Sequence, residues 1–235
     1  MKDVRKGLDA SLIILPHNAV LRTYQEVNRS IALTKSLGLP LHVDPFKNWD
    51  SLAAWSIINR YFSRRHDAKI LDAGGETYSV ILKQLQKAGF RDLTCINLVF
   101  KTSVIRKGIR FQYGDITQTD FSKNQFDAIT CLSVIEHGVD VNSYFKEMSR
   151  ILKPGGVLVT SVDYWATPID TMGQMAYGVP IKIFNRKQVV TMATIALKNK
   201  LELMDKLDLK CSNKVVCWKL FNLNYTFLYF TMRKK

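Results

Sequence analysis

Glycines, carboxylates, an amide, a serine and a histidine follow short apolar runs at several points of the chain, with an alanine and an isoleucine beside them. The residues concerned are Asp72, Ala73, Gly74, Gly75, Asn97, Asp115, Ile116, Ser133, Glu136 and His137. Glycine lets the backbone come close to a ligand, while carboxylates and amides hydrogen-bond to sugar hydroxyls and amino groups. Histidine titrates near neutral pH and can accept a proton. These residue types together predict a site that binds a polar organic ligand and moves a proton.

The elements that must position these residues alternate along the chain. Apolar runs predict strands at 70–71, 93–99, 109–113, 126–132 and 157–162, with two more near 201–209 and 224–232. Amphipathic spacing predicts helices at 77–88 and 142–152 between them, and a further helix from Asn185, its N-cap, to about Lys198. Because parallel strands need crossover connections, the alternation predicts a doubly wound α/β domain with a mostly parallel sheet.

In an open α/β sheet, ligands bind beyond the carboxyl ends of the strands, where the order of strands reverses. The paired glycines Gly74 and Gly75 end the first strand, and Asn97 ends the second, where its amide can hydrogen-bond to ribose hydroxyls. Asp115 follows the third strand and can accept a hydrogen from an adenine amino group. The strand ends therefore predict a nucleoside pocket.

Four motifs occur in order over about 95 residues, from Lys69 to Trp165: Leu71-Asp72-Ala73-Gly74-Gly75, Gly114-Asp115, Phe126-Asp127 with Ser133 to His137, and Leu152-Lys153-Pro154-Gly155-Gly156. The set resembles the class I S-adenosylmethionine-dependent methyltransferases. The resemblance implies a Rossmann-like seven-stranded sheet whose last strand is antiparallel, and S-adenosylmethionine as the cofactor. It also implies that the cofactor contacts Asp72, Ala73, Gly74, Gly75, Asn97, Asp115, Ile116 and Ser133.

The chemistry that this resemblance implies is in-line transfer of a methyl group from a sulfonium to a nucleophile, which needs mainly positioning and sometimes a base. His137 is the candidate base, and a structural role in capping the next turn is the alternative. Glu136 could orient His137 or hold a metal ion, although no further ligand set appears and no metal is expected. Asp163, Tyr164 and Trp165 either line a substrate pocket or belong to the edge of the core.

Length and composition favour one methyltransferase domain at 67–235, preceded by an N-terminal helical extension at 1–66. Two helices are expected in the extension, near 20–38 and 49–62, the second with Asn48 as N-cap. The segment 46–50 could fold over the cofactor as part of a lid. The loop at 166–184 is long enough to suggest a functional role.

The net charge of +14 is distributed unevenly along the chain. Residues 67–165 carry 12 basic and 11 acidic side chains, whereas residues 166–235 carry 12 and 4. The basic residues in the last third alternate with apolar ones and form no arginine cluster, so a solvated surface is favoured over a nucleic-acid site, which stays possible.

No apolar run approaches the roughly 18 residues that a membrane-spanning helix needs, and the first 16 residues lack a secretory apolar core. We therefore expect a cytoplasmic protein without a membrane span. The four cysteines, Cys95, Cys131, Cys211 and Cys217, form no CxxC pair and are expected to be reduced core residues.

Three functions remain open from the sequence. The leading one is methylation of a small-molecule or glycan acceptor, at oxygen rather than nitrogen. The second is methylation of RNA or another macromolecule drawn to the basic surface. The third is a non-catalytic binding protein, because Glu76 and Tyr78 stand where the family has further glycines, and Asn97 where it has an acid. The sequence leaves the oligomeric state open.

Overall fold

A computed structural model describes residues 13–235. The twelve strands among these residues are β1 (Ala19–Val20), β2 (Lys69–Ala73), β3 (Asp92–Asn97), β4 (Val104–Arg106), β5 (Ile109–Tyr113), β6 (Phe126–Leu132), β7 (Leu152–Tyr164), β8 (Met175–Ala176), β9 (Val179–Pro180), β10 (Leu201–Leu203), β11 (Val216–Trp218) and β12 (Leu223–Lys234). The five α-helices in this range are α1 (Tyr24–Ser36), α2 (Lys47–Phe62), α3 (Ile81–Lys87), α4 (Val141–Ile151) and α5 (Arg186–Lys198).

The main sheet has the predicted doubly wound, mostly parallel architecture. Strands β7, β6, β2, β3 and β5 are neighbours in that order and run parallel. The long strand β12 joins β7 antiparallel, as expected for the last strand. The sheet contains ten strands rather than seven, because β1, β4 and β11, each of two or three residues, extend it. The strand expected at 201–209 ends at Leu203.

Helices cover both faces of this sheet. Successive strand residues point to opposite faces, so each strand packs against helices on both sides. On β2, Ile70 belongs to the apolar cluster that includes α2 and α3, whereas Leu71 belongs to the cluster formed with α4 and α5. Both side chains are fully buried. Such two-sided burial explains why the strand reads as a continuous apolar run.

The helices of the predicted extension are integrated into the fold. Helix α2 is buried along nearly its whole length in the first apolar cluster, and β1 pairs with β12. Asn48 is not the N-cap of α2, contrary to the prediction, because Phe46 occupies that position. The Asn48 side chain instead accepts from the backbone N–H of His42 and donates to carbonyls of the segment before the helix. Residues 1–12 of the predicted extension lie outside the described residues.

Two further predictions are corrected by the structure. The helix expected to begin at Thr77 begins at Ile81, because the backbone N–H of Glu76 donates to Ser79 Oγ and forms a turn first. Cys95 and Cys131 are buried as expected, but Cys211 is half-buried and Cys217 is exposed. The N-cap at Asn185 is confirmed, with a reciprocal capping box to Gln188.

The long loop at 166–184 contains the small β8–β9 hairpin. In residues 13–235 no helix is both long and apolar enough to cross a lipid bilayer.

Candidate functional site

A cavity of about 800 Å³ lies at the carboxyl ends of the parallel strands. This is the position that ligands occupy in open α/β sheets, and the volume is typical of a small-molecule site. Nine of the ten predicted site residues line the cavity: Asp72, Gly74, Gly75, Asn97, Asp115, Ile116, Ser133, Glu136 and His137. Ala73 is the exception, because its side chain is fully buried in the core on the α4 side of the sheet.

The turn after β2 depends on its two glycines. Gly74 has φ +88°, and a Cβ atom there would lie 2.5 Å from Val134 Cγ1. A Cβ atom at Gly75 would lie 2.0 Å from Asp72 Oδ2. Any larger residue at Gly75 would therefore displace the Asp72 carboxyl, which couples the glycine turn to the acid that precedes it.

Asp72 is buried at the end of β2, where its Oδ1 accepts a hydrogen bond of 2.8 Å from Thr130 Oγ1. Burial raises the pKa of Asp72 to about 7, and the nearby Asp50 carboxyl acts in the same direction. The side chain can therefore exchange a proton near neutral pH.

Asn97 holds the glycine turn through its side-chain amide. Its Nδ2 donates to the carbonyls of Gly74 at 2.8 Å and Gly75 at 3.2 Å, while its Oδ1 accepts from the backbone N–H of Val99. A carboxylate could not make the two donor contacts, because it has no hydrogen to donate. This gives Asn97 a positioning role in addition to the ribose contact expected from the sequence.

The predicted adenine side of the cavity is formed after β5. Asp115 Oδ1 accepts hydrogen bonds from the backbone N–H and the hydroxyl of Thr117, at 2.8 and 2.7 Å. Ile116 is 6% exposed and adds an apolar surface beside the carboxylate. A Cβ atom at Gly114 would lie 2.9 Å from Ile96 Cβ, so the segment packs closely on β3.

Ser133 links the end of β6 to helix α2. It has a left-handed φ of +54°, and its backbone N–H donates to the carbonyl and the hydroxyl of Ser161, both at 3.0 Å. Ser161 Oγ in turn donates to Asp50 Oδ2 at 2.7 Å. Lys47 Nζ donates to Ser133 Oγ and lies 3.9 Å from the centre of the Phe227 ring.

Three buried carboxyl groups line the same cavity around Lys47. Asp50, Glu136 and Asp163 are 0%, 1% and 4% exposed. Burial raises the pKa of each, to about 6 for Asp163 and well above its usual range for Glu136, while Lys47 lowers all three. The nearby Asp163 carboxyl raises the pKa of Glu136 further, because two close carboxylates resist full ionisation.

His137 lies at the cavity with its ring edge-on to Tyr177, at a centroid distance of 5.1 Å. Burial, assisted by the positive charge of Lys47, lowers the pKa of His137 to about 4. Its imidazole is therefore neutral at pH 7 and free of a proton on one nitrogen, but it is a weaker base than an ordinary histidine.

An aromatic wall comes from the C-terminal hairpin, and this part of the site was not predicted. Trp218 on β11 and Tyr225 and Phe227 on β12 line the cavity. The alternation of Tyr225 and Phe227 places them on one face of the strand, which was the available signal. Of the predicted pocket residues 163–165, only Asp163 reaches the cavity, since the Tyr164 side chain is buried and its hydroxyl donates to the carbonyl of Leu209.

The segment 46–50, for which the sequence predicted a part in a lid over the cofactor, contributes to the cavity wall. Phe46, Lys47 and Asp50 line it, whereas Asn48 and Trp49 do not. Among residues 13–235, no three histidine, cysteine, aspartate or glutamate side chains converge closely enough to hold a metal ion.

The chain is similar in sequence to known methyltransferases. Residues 71–160 match the family model described as a methyltransferase domain. The chain is 26% identical over 135 residues to tRNA U34 carboxymethyltransferase from Nautilia profundicola, covering 51% of this chain and 45% of that protein. It is 30% identical over 114 residues to demethylmenaquinone methyltransferase from Mycobacterium marinum, covering 46% of each. The chain thus spans less than half the length of these curated relatives.

Among solved structures, geranyl diphosphate C-methyltransferase from Streptomyces coelicolor, determined with S-adenosyl-L-homocysteine, shares the fold. The TM-score is 0.55 at 17% identity, with 94% of this chain and 90% of that chain covered. Residues 71–160 thus form part of a methyltransferase domain, and the order of strands in the sheet is consistent with the fold that this solved structure shares.

Proposed function

We propose that this protein binds S-adenosylmethionine in the 800 Å³ cavity and transfers its methyl group to a small-molecule or glycan acceptor. The observation that carries the proposal is the convergence of nine predicted site residues on one cavity at the carboxyl edge of the sheet. They come from separate strand ends, which the parallel sheet brings together at one edge.

The residues present fit the cofactor. The positive φ of Gly74 and the close approach of Gly75 to Asp72 form a backbone cradle without side chains. Asp115 offers a carboxylate beside the apolar Ile116, which suits an adenine ring with its amino group. We assign Asp72, Gly74, Gly75, Asn97, Asp115, Ile116 and Ser133 to cofactor binding, and Ala73 to support of the turn from the core.

When bound, the cofactor supplies an electrophilic methyl group on a sulfonium. The protein then has to exclude water, hold the acceptor and take its proton. Burial raises the pKa of both carboxyls, to about 6 for Asp163 and well above the usual range for Glu136, so the Glu136–Asp163 pair can accept a proton. We therefore assign Glu136 as the proton acceptor and keep His137 as an alternative base, whose neutral ring faces the same cavity.

The walls of the cavity support this acceptor class. The aromatic side chains of Trp218, Tyr225 and Phe227 and the buried carboxyls suit a compact organic molecule with a hydroxyl or amino group. The sequence favoured oxygen as the methylated atom, and a carboxyl base serves that reaction. The alternative of an RNA acceptor is supported by the relative named tRNA U34 carboxymethyltransferase and by the basic last third of the chain.

We also propose that residues 1–66 act as an extension that closes the cavity of the domain at 67–235. The wall residues Phe46, Lys47 and Asp50 support this role.

The experiment that tests the proposal uses the whole chain and S-adenosylmethionine labelled on its methyl group. After incubation with a cell extract, the extract is separated into low-mass, RNA and protein fractions. We expect a labelled product other than S-adenosylmethionine in the low-mass fraction, and none of that product with the Asp115→Ala variant. Label confined to RNA would favour the alternative acceptor, and no protein-dependent transfer to any fraction would contradict the enzyme.

A further inference from the structure

Three carboxylate oxygens in the cavity wall lack hydrogen-bond partners. Both oxygens of Glu136 and Oδ1 of Asp50 are buried and make no hydrogen bond to any described residue. A buried polar atom without a partner destabilises the folded protein, and more so when the group is charged. Such atoms at a cavity wall indicate that a donor completes the site when a ligand is bound.

The local charge points to the sign of that ligand. Asp50, Glu136 and Asp163 all face the cavity near one basic group, Lys47, which lowers the pKa of each. Lys47 Nζ donates a hydrogen bond to Ser133 Oγ and none to the Glu136 oxygens, which have no partner. The cavity wall therefore has more carboxyl groups than lysine donors, and its unpartnered oxygens can accept hydrogen bonds from a donor that the ligand carries.

The spacing of these side chains does not suit a metal ion. In the part of the chain that the structure describes, no three acidic, histidine or cysteine side chains converge on one point. Hard divalent cations take six or more oxygen ligands at short distance. An organic ammonium group needs only a few acceptors and tolerates wider spacing.

The aromatic wall supports an organic cation. The Lys47 ammonium already lies 3.9 Å from the centre of the Phe227 ring, and Tyr225 and Trp218 border the same space. Cations bind favourably over aromatic faces, and the effect grows when water is excluded. The carboxyls and the rings thus form two complementary surfaces for a positively charged group attached to an apolar body.

We propose that the acceptor is an organic amine that enters as a cation, with its ammonium group held by Glu136 and Asp163 and its apolar body against Trp218, Tyr225 and Phe227. This inference deepens the proposed function and rests on it for the identity of the bound molecule as the acceptor. Glu136 and Asp163 would make the site prefer a positively charged acceptor over a neutral one, a preference that the fold alone does not supply.

Calorimetry tests the inference with two probes of the same shape. Benzylamine and benzyl alcohol differ in charge, and both are titrated at pH 7.5 into protein saturated with S-adenosylhomocysteine. We expect benzylamine to bind at least about tenfold more tightly, as a charge-assisted hydrogen bond would give. The Glu136→Gln variant, which keeps the shape of the side chain, should reduce the preference to about twofold or less.

Glu202→Gln is the matched control, because Glu202 is 54% exposed and pairs with Lys235 away from the cavity. It should keep the full preference. Equal binding of the two probes to the wild-type protein, or an unchanged preference in Glu136→Gln, would overturn the inference.

The same titrations separate the two proposals. Failure of S-adenosylhomocysteine to bind would contradict the proposed function, and the probes can then be compared without it. Normal binding of S-adenosylhomocysteine with no preference for benzylamine would overturn the charge specificity alone.

Discussion

Lys47 donates a hydrogen bond to the hydroxyl of Ser133, and this contact joins the first turn of α2 to the end of β6. The two residues are 86 positions apart in the chain. Lys47 also lowers the pKa of Asp50, Glu136 and Asp163. Helix α2 therefore affects the charge of the cavity as well as its shape.

Replacement of Lys47 by methionine should raise the pKa of Asp163 by about one unit, from its value near 6, because a nearby positive charge would be lost. The carboxyl carbon resonance of Asp163, followed by NMR through a pH titration, measures this shift. Lys35→Met removes an exposed lysine from the last turn of α1 and should leave the titration unchanged. An unshifted Asp163 in Lys47→Met would show that the contact does not set the charge of the site.

His137 should stay neutral well below the usual range of histidine, because burial and Lys47 lower its pKa to about 4. Its ring nitrogen resonances should not titrate between pH 5 and 8. The fall in methyl transfer at acid pH should instead occur near pH 6, set by the carboxyl pair, and should persist in His137→Asn. If the fall in methyl transfer at acid pH disappeared in His137→Asn, His137 would be identified as the base.

Asp72 should make the protein less stable as pH rises from 4 to 7. Its pKa is about 7 in the folded state against an ordinary 3.8, so in this range the unfolded chain releases a proton that the folded protein keeps. The free energy of unfolding should fall by about 4 kcal/mol across the window from this group and stay level above it.

The Asp72→Asn variant should lose this slope, as measured by urea unfolding at several pH values. Asp92→Asn, an exposed position at the start of β3, should keep it. Parallel stability profiles for wild type and Asp72→Asn would contradict the raised pKa.

Gly75→Ala should weaken S-adenosylhomocysteine binding at least about tenfold, since the new Cβ would lie 2.0 Å from Asp72 Oδ2 and force the turn to move. Calorimetry measures the loss. Gly173→Ala is the control for substitution of a glycine: nothing lies within 4 Å of its Cβ position, although its φ of +66° costs about 1 kcal/mol of stability. Equal affinity in Gly75→Ala would exclude this turn from the cofactor site.

The sequence predicted the strands and helix ends that are marked by residues close together in the chain. The bounds of β5 and β6 agree with their apolar runs, and Asn185 caps α5 as its spacing to Gln188 indicates. The strand-end residues of the cavity were predicted for a related reason, because each lies directly after its own strand. Their convergence follows from the parallel sheet.

The parts that were not predicted depend on contacts distant in the chain. Nothing near Asn48 indicates that its amide bridges the turn at His42, so the residue resembled an N-cap. Tyr225 and Phe227 reach the cavity only because β12 pairs with β7 and places Phe227 opposite Asp163. A single sequence gives the faces of a strand but not the register of its partner.

Binding of the methyl donor in the cavity at the strand ends is tested most directly by the affinity of the wild-type protein for S-adenosylhomocysteine. Titration calorimetry at pH 7.5 should give a single site with a dissociation constant in the micromolar range. The absence of binding of both S-adenosylhomocysteine and S-adenosylmethionine at millimolar concentration would contradict it, and would favour a binding protein that keeps the fold without the reaction.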